Sequence, residues 1–389
     1  MRPAWYPARS CRGRSTLDGG GTSGAARSWT ENLAGTTVLV TGGGGLIGSR
    51  IVALLRRVGA RPLILCALDA YPRHVYTDLF GVRLGDLDLH AGDVVDTALL
   101  ARLVSGCDYV IHAAALADVA ACTRDPQAAI HTNVTGTQAV LQAVAATERV
   151  RRLVFVSSAS VYGDGDLHDT APPDPAFIAI RQLSEFQYGR MAPQFTEYTK
   201  PSPLSVYANT KLWGEMQTAL LLGSVGTSYT VLRYFSVYGE PQTVKEGSHS
   251  WVVAWFAARA ALGLPLHLNG GGHQVRDLVH VDDIAEATVR ALAAPRAHNE
   301  TINVGTGVPT SIREVAALVR QHYPDAQLSA TPMPLGDPRG GYANVTHMQR
   351  VLDWKPTIGV ADGVARYADW LHRTPDAIPA WLREGAATL

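Results

Sequence analysis

The chain has 389 residues, with 34 Lys plus Arg balanced by 34 Asp plus Glu, which is long enough for one large α/β domain or two lobes sharing an interface. A formal charge of zero supplies no basic field to hold nucleic acid or an anionic membrane, so small-molecule chemistry is the default. The four cysteines, Cys11, Cys66, Cys107 and Cys122, lie far apart without a CxxC pair. This fits core thiols in a reduced, cytoplasmic compartment and argues against both a disulfide framework and a metal cluster.

In chain order, residues 1–35 are rich in Arg, Gly and Ser and nearly free of aliphatic side chains. They read as a disordered tail: they mimic the composition of an organellar transit peptide but lack the apolar stretch of a secretory signal. From Thr36 short β-branched runs alternate with longer amphipathic segments, the rhythm of βαβ units. Strands are predicted at 36–41, 62–68, 87–93, 109–114, 152–158 and 228–235, mostly as near-continuous apolar runs buried on both faces. A helix is predicted over Leu46 to Val58, stopping at Gly59. No apolar run reaches the roughly 18 residues of a membrane span.

The fold class that follows is α/β, a Rossmann-type doubly wound parallel sheet with a smaller C-terminal substrate-binding lobe. Residues 36–240 are expected to form the nucleotide-binding part, with 175–200 an insertion, and 241–389 mainly the second lobe. The segment 276–305, with the strand and turn "INVGTG", is expected to return to the first part.

The stretch "TGGGGLIG" carries Gly42, Gly45 and Gly48 between the first strand and the first helix. Two glycines permit a tight turn and close backbone approach and the third lets helix and strand pack, while the N–H groups at the helix start, around Leu46 and Ile47, face a pyrophosphate. An acid at the end of the second strand would bind the adenosine ribose hydroxyls and repel a 2′-phosphate. The strand end falls near Cys66, and the nearest acid is Asp69. Asp69 therefore favours NAD over NADP, with a simple turn residue as the alternative.

"YANTK" sets Tyr207 and Lys211 four apart, hence on one helix face. An ammonium beside the phenol is expected to favour phenolate, lowering the tyrosine pKa toward neutrality and making it a useful general base.

With these features the chain resembles the extended short-chain dehydrogenase/reductases, in particular the nucleotide-sugar epimerases and dehydratases, over about residues 36–370. The motifs are "TGGGGLIG", "AGDVVD", "VIHAAA", "NVTGT", "VSSASVYG", "YANTK", "RYFSVYG", "VRDLVHVDD" and "LDWKP". The resemblance implies NAD as cofactor, Asp93 and Val94 facing the adenine, Ala113 and Ala114 along the cofactor, and Asn133 below it. It makes Ser158 the third catalytic member with Tyr207 and Lys211, and gives Arg276 to the nucleotide diphosphate, a surface pair with Asp277 being the alternative. Arg339 is a second candidate for the phosphates, although it follows the Gly-Asp pair that such an arginine should precede. Ser236 resembles the hydroxyl residue of uronic-acid epimerases, and Ser160 is expected to touch substrate.

Where dehydratases carry an Asp-Glu pair, this chain has Ala159 and Ser160. Neither can serve as the added acid and base that elimination of water requires. This disfavours dehydration, and the resemblance then implies a 4-epimerase of a nucleotide-diphosphate sugar, acting through a 4-keto sugar. The alternatives are a dehydrogenase or reductase, a dehydratase, or a non-catalytic cofactor-binding scaffold. By the same resemblance a homodimer is expected. Ser158 and Tyr207 lie 49 positions apart, roughly double the family's usual separation, and the aromatic-rich insertion is expected to cap the sugar site or to pair subunits.

Overall fold

The computed structural model describes residues 29–164, 183, 192–247, 251–332 and 340–387. Seven strands form its central sheet: β1 (Thr37–Thr41), β2 (Arg61–Cys66), β3 (Leu89–Ala91), β4 (Tyr109–His112), β5 (Arg152–Ser158), β6 (Ser228–Tyr234) and β7 (Glu300–Val304). They lie in the order β7-β6-β5-β4-β1-β2-β3, every neighbouring pair parallel. The direction of winding reverses between β1 and β4, where Thr41 pairs with His112. In such sheets the crevice beyond the strand ends at this point holds the ligand.

The apolar runs become strands because both faces are covered. Val38, Leu39, Val40, Leu153, Val154, Phe155 and Leu232 are all buried. On one face lie α1 (Leu46–Arg57) and α6 (Val281–Ala293), joined by an ion pair of Arg50 with Asp282 at 2.7 Å. On the other lie α2 (Thr97–Val104), α3 (Thr137–Ala145) and α4 (Val206–Val225), whose apolar residues join those of β4 and β5. Three predicted strands end two residues early, β4 at His112 and two others for visible local reasons. β2 stops at Cys66 and the chain then takes φ 59° at Leu68; β3 stops at Ala91 and Asp93 caps the following turn through Val95 N–H.

The second lobe has its own core, built by α5 (Val252–Ala261), α7 (Ile312–His322) and α8 (Val360–Arg373). α7 starts in a reciprocal capping box between Ser311 and Glu314. The segment 276–305 returns to the sheet: α6 packs on α1, and β7 extends the sheet beyond β6.

Of the tail expected over 1–35, the described part lies against the core. Leu33 is 0% exposed, the Gly35 N–H donates to the Gly59 carbonyl at 2.9 Å, and the Arg290 guanidinium stacks over Trp29. Of the expected insertion, residues 192–200 are built into the lobe. Gln194–Phe195 runs parallel to Tyr342–Ala343, and the Phe195 ring stacks on Tyr162 with centroids 4.7 Å apart. Apart from Leu183, the rest of the insertion lies outside the described residues. Among the described residues no helix is long and apolar enough to cross a membrane.

Candidate active site

The glycine turn sits at the reversal point. Gly42 has φ +70°, and a Cβ there would lie 2.8 Å from the Ala114 backbone; one on Gly48 would lie 2.1 Å from the Gly42 carbonyl oxygen. The turn and the loop after β4 are thus in direct contact, with Ala113 N–H on the Thr41 carbonyl and Ala114 N–H on the Thr41 hydroxyl, both at 3.2 Å. α1 begins at Leu46 behind Gly45, which offers no side-chain cap, and has no acidic residue in its first turn. Leu46, Ile47 and Gly48 therefore form a helix start suited to an anion.

β2 ends at Cys66, where the spacing from the glycine turn placed the strand end. Its last residue, Cys66, faces the turn: a Cβ on Gly44 would lie 3.0 Å from the Cys66 sulfur. The N–H groups of Gly44 and Leu68 bond this thiol, while burial pushes its pKa up. Asp69, assigned to the ribose from the sequence, lies past the left-handed turn at Leu68 and is exposed. The structure brings Cys66, not Asp69, against the glycines.

Asp93 is exposed, 3.7 Å from His131, and Val94 is buried against Gly136. Asn133 is 3% exposed and fully engaged: it accepts from Leu116 N–H at 2.8 Å and donates to the Leu116 carbonyl and the Thr210 hydroxyl, both at 3.1 Å. It staples the loop after β4 to α4, one residue before Lys211.

Ser158, Tyr207 and Lys211 come together. α4 is capped by Ser205, whose hydroxyl accepts from Ala208 N–H. It approaches β5 closely because Gly214 faces the Phe155 ring, where a Cβ would lie 2.4 Å from Cζ. Ser158 ends β5; its hydroxyl accepts from Ser160 N–H at 3.1 Å and lies near enough to the Tyr207 phenol to exert a lowering effect on its pKa. Lys211 Nζ donates to the Val156 carbonyl at 2.9 Å and lies 5.8 Å from the Tyr207 ring centre.

The electrostatics correct one expectation. Burial pushes the Tyr207 phenol up to about 12, against the lowering effect of Ser158, and it pulls Lys211 down to about 8, while Cys122 and Glu215 work the other way. Desolvation outweighs the ammonium's pull because the amine is turned to a carbonyl and lies a ring's width from the phenol. His112, bound by Thr41 at 2.7 Å and Thr137 at 2.9 Å, is held neutral, burial lowering it to about 3.

On the substrate side, Ser160 Oγ is buried with no hydrogen-bond partner among the described residues. Ser236 N–H donates to the Asp277 carbonyl. Arg276 Nη1 donates to the Val275 carbonyl at 2.9 Å. Its neighbour Asp277 is no surface partner. It is 1% exposed and accepts from Thr306 N–H and Oγ1, Gly307 N–H and Ala343 N–H. Arg339 lies outside the described residues.

Sequence reasoning passed over Glu215 and Arg233, an ion pair 2.6 Å long in which both side chains are 7% exposed. Their signal was present: single opposite charges inside the apolar runs "LWGEMQTALLL" and "VLRYF" must find each other when both runs are buried.

This turn, crevice and Ser-Tyr-Lys grouping agree with an independent finding: a profile described as "NAD dependent epimerase/dehydratase family" matches residues 38–177 and 180–305. The chain belongs to the NAD dependent epimerase/dehydratase family. Within this family it is 28% identical over 355 residues to a dTDP-L-rhamnose 4-epimerase of Burkholderia thailandensis, covering 88% of this chain and 96% of that protein. It is 30% identical over 341 residues to a UDP-glucose 4-epimerase of Mycolicibacterium smegmatis, with 86% and 98% covered. Among solved structures, the UDP-glucose 4-epimerase of Thermus thermophilus in complex with NAD superposes with a TM-score of 0.71 at 28% identity, covering 86% of this chain and 99% of that one. The glycine turn, which side chains would fill, and the uncapped start of α1 fit the cofactor named by the family.

Proposed function

We propose that the protein is an NAD-dependent nucleotide-sugar 4-epimerase acting on a UDP- or dTDP-linked hexose or hexuronic acid through a 4-keto sugar. The observation that carries this reading is the grouping of Ser158 near the Tyr207 phenol with Lys211 one turn on, together with the glycine turn at the reversal point of the sheet. When bound, NAD supplies an acceptor and donor of hydride.

The chain's own residues handle position and protons. Gly42, Gly45, Leu46, Ile47 and Gly48 hold the pyrophosphate, with Ala113 and Ala114 beside it. Asp93 and Val94 face the adenine, and Asn133 fixes the floor. Tyr207 takes the proton from the C4 hydroxyl and returns it after the sugar has turned over, Ser158 holds the reacting oxygen, and Lys211 favours the phenolate. Arg276 binds the diphosphate by charge-assisted hydrogen bonds, and Ser160 and Ser236 meet the sugar. Ala159 and Ser160 leave elimination without an acid and base, which favours epimerisation over dehydration.

Met216 and Leu220, one turn apart on α4 and 59% and 67% exposed, support a homodimer paired through this helix. The free thiols of Cys66, Cys107 and Cys122 fit a cytoplasmic setting. Incubating the enzyme with UDP- and dTDP-linked hexoses and hexuronic acids, followed by proton NMR, tests the reading. Interconversion of C4 epimers without net NADH supports it. Accumulating NADH or loss of water from the sugar refutes it.

A further inference from the structure

The last three residues of β5 each engage α4. The Val156 carbonyl accepts from Lys211 Nζ at 2.9 Å, Ser157 Oγ donates to Glu215 Oε1 at 2.5 Å, and Ser158 lies near the Tyr207 phenol. The three helix residues recur every fourth position and so form one stripe. Glu215 is the member of this stripe to which the reaction gives no role.

Its carboxylate is buried and fully bound. Arg233 Nε lies 2.9 Å from Oε1 and Arg233 Nη2 lies 2.6 Å from Oε2. Arg233, on β6, also donates to the Tyr162 hydroxyl at 2.8 Å, and Tyr162 donates to Asn303 on β7 at 2.7 Å. One carboxylate thus fastens α4 to three adjacent strands. Stability alone does not call for this, because apolar residues of similar volume commonly replace a buried ion pair at no loss.

We propose that Glu215 is a positioning residue for proton transfer at Tyr207, holding Ser158 and Lys211 in register with the phenol by tying the end of β5 to α4. The proposal rests on the Ser158–Tyr207–Lys211 reading above. A second effect accompanies the first: the negative charge one turn from Lys211 favours its ammonium. The groups that face Lys211 are Cys122 from the helix Val119–Arg124, His112 from β4, and Tyr207 and Glu215 from its own helix, with Arg233 behind Glu215. Burial keeps Cys122 protonated, with its pKa pushed up to about 11, and His112 neutral. Of the two groups that favour the charged amine, Cys122 and Glu215, the carboxylate of Glu215 is the one that carries a full negative charge.

Glu215→Gln keeps hydrogen-bonding capacity and removes the charge. The alkaline limb of kcat, set by Lys211, is expected to move down by about one pH unit, and kcat at neutral pH to fall about tenfold, with KM and NAD content unchanged. Glu215→Asp should restore the limb in part. Ser157→Ala, which cuts the strand-to-helix bond without stranding Arg233, is expected to lower kcat about threefold to tenfold at unchanged KM. A purely structural role would lower Tm and leave the pH profile in place. A parent enzyme without an alkaline limb counts against the Tyr207–Lys211 reading itself. A parent limb that Glu215→Gln leaves unmoved, or a Ser157→Ala variant with parental kcat, overturns the role given to Glu215.

Discussion

The Lys211 ammonium donates to the Val156 carbonyl at 2.9 Å, so the amine is tethered to the same strand that presents Ser158. A buried ammonium gives up its proton more readily, and here burial brings its pKa from 10.5 to about 8. Below that value Lys211 is charged and supports the phenolate; above it the support is lost. Turnover should therefore fall as pH rises through about 8. Lys211→Met should show a lower kcat without this limb, as read from initial rates across the alkaline range.

Tyr207→Phe removes the proton acceptor and keeps the ring. Epimerisation should fall by about 10²- to 10⁴-fold, while NAD released on denaturation stays at the parental ratio. The same variant reports on the phenol. Because burial raises its pKa to about 12, the ultraviolet difference between NAD-free parent and variant should show no phenolate at neutral pH.

Gly48→Ala should cost the protein its cofactor. The added methyl would stand 2.1 Å from the Gly42 carbonyl oxygen, so α1 must shift away from the turn, at about 1–3 kcal/mol of overpacking strain. NAD content should drop well below one per chain, and the thermal midpoint should fall, both measured on purified protein.

Arg276→Ala should weaken binding of the nucleotide sugar about tenfold to a hundredfold, as seen by calorimetry with UDP or dTDP. NAD content should not change, because the glycine turn is untouched. Equal affinity in parent and variant would remove Arg276 from the diphosphate site.

Cys66→Asp puts a carboxylate where the strand end meets the glycine turn. The preference for NAD over NADP should rise about tenfold, measured as a ratio of dissociation constants. Asp69→Asn, at an exposed position past the turn, should change that ratio less.

The legible parts of the sequence were those in which one residue type answers one local demand. Gly42 needs a positive φ and Gly48 has no room for a methyl; Tyr207 and Lys211 share a face by helical period alone. The parallel sheet covered by helices followed from the βαβ rhythm. What escaped reading depended on register and on the path of single turns. The left-handed conformation of Leu68 throws Asp69 outward and leaves Cys66 at the glycines. The union of Glu215 with Arg233 depends on α4 crossing β6 at one height, and the capture of Asp277 by Thr306, Gly307 and Ala343 depends on loops far along the chain.

The segment ahead of β1 carries a practical lesson for anyone shortening this polypeptide. Leu33 fills a space beside α1 with no solvent contact, and its carbonyl takes the Thr36 hydroxyl at 2.7 Å. Trimming back to Thr36, where the strand pattern begins, would empty that space and forfeit about 2–5 kcal/mol. A trim that leaves Trp29 onward in place keeps the plug seated.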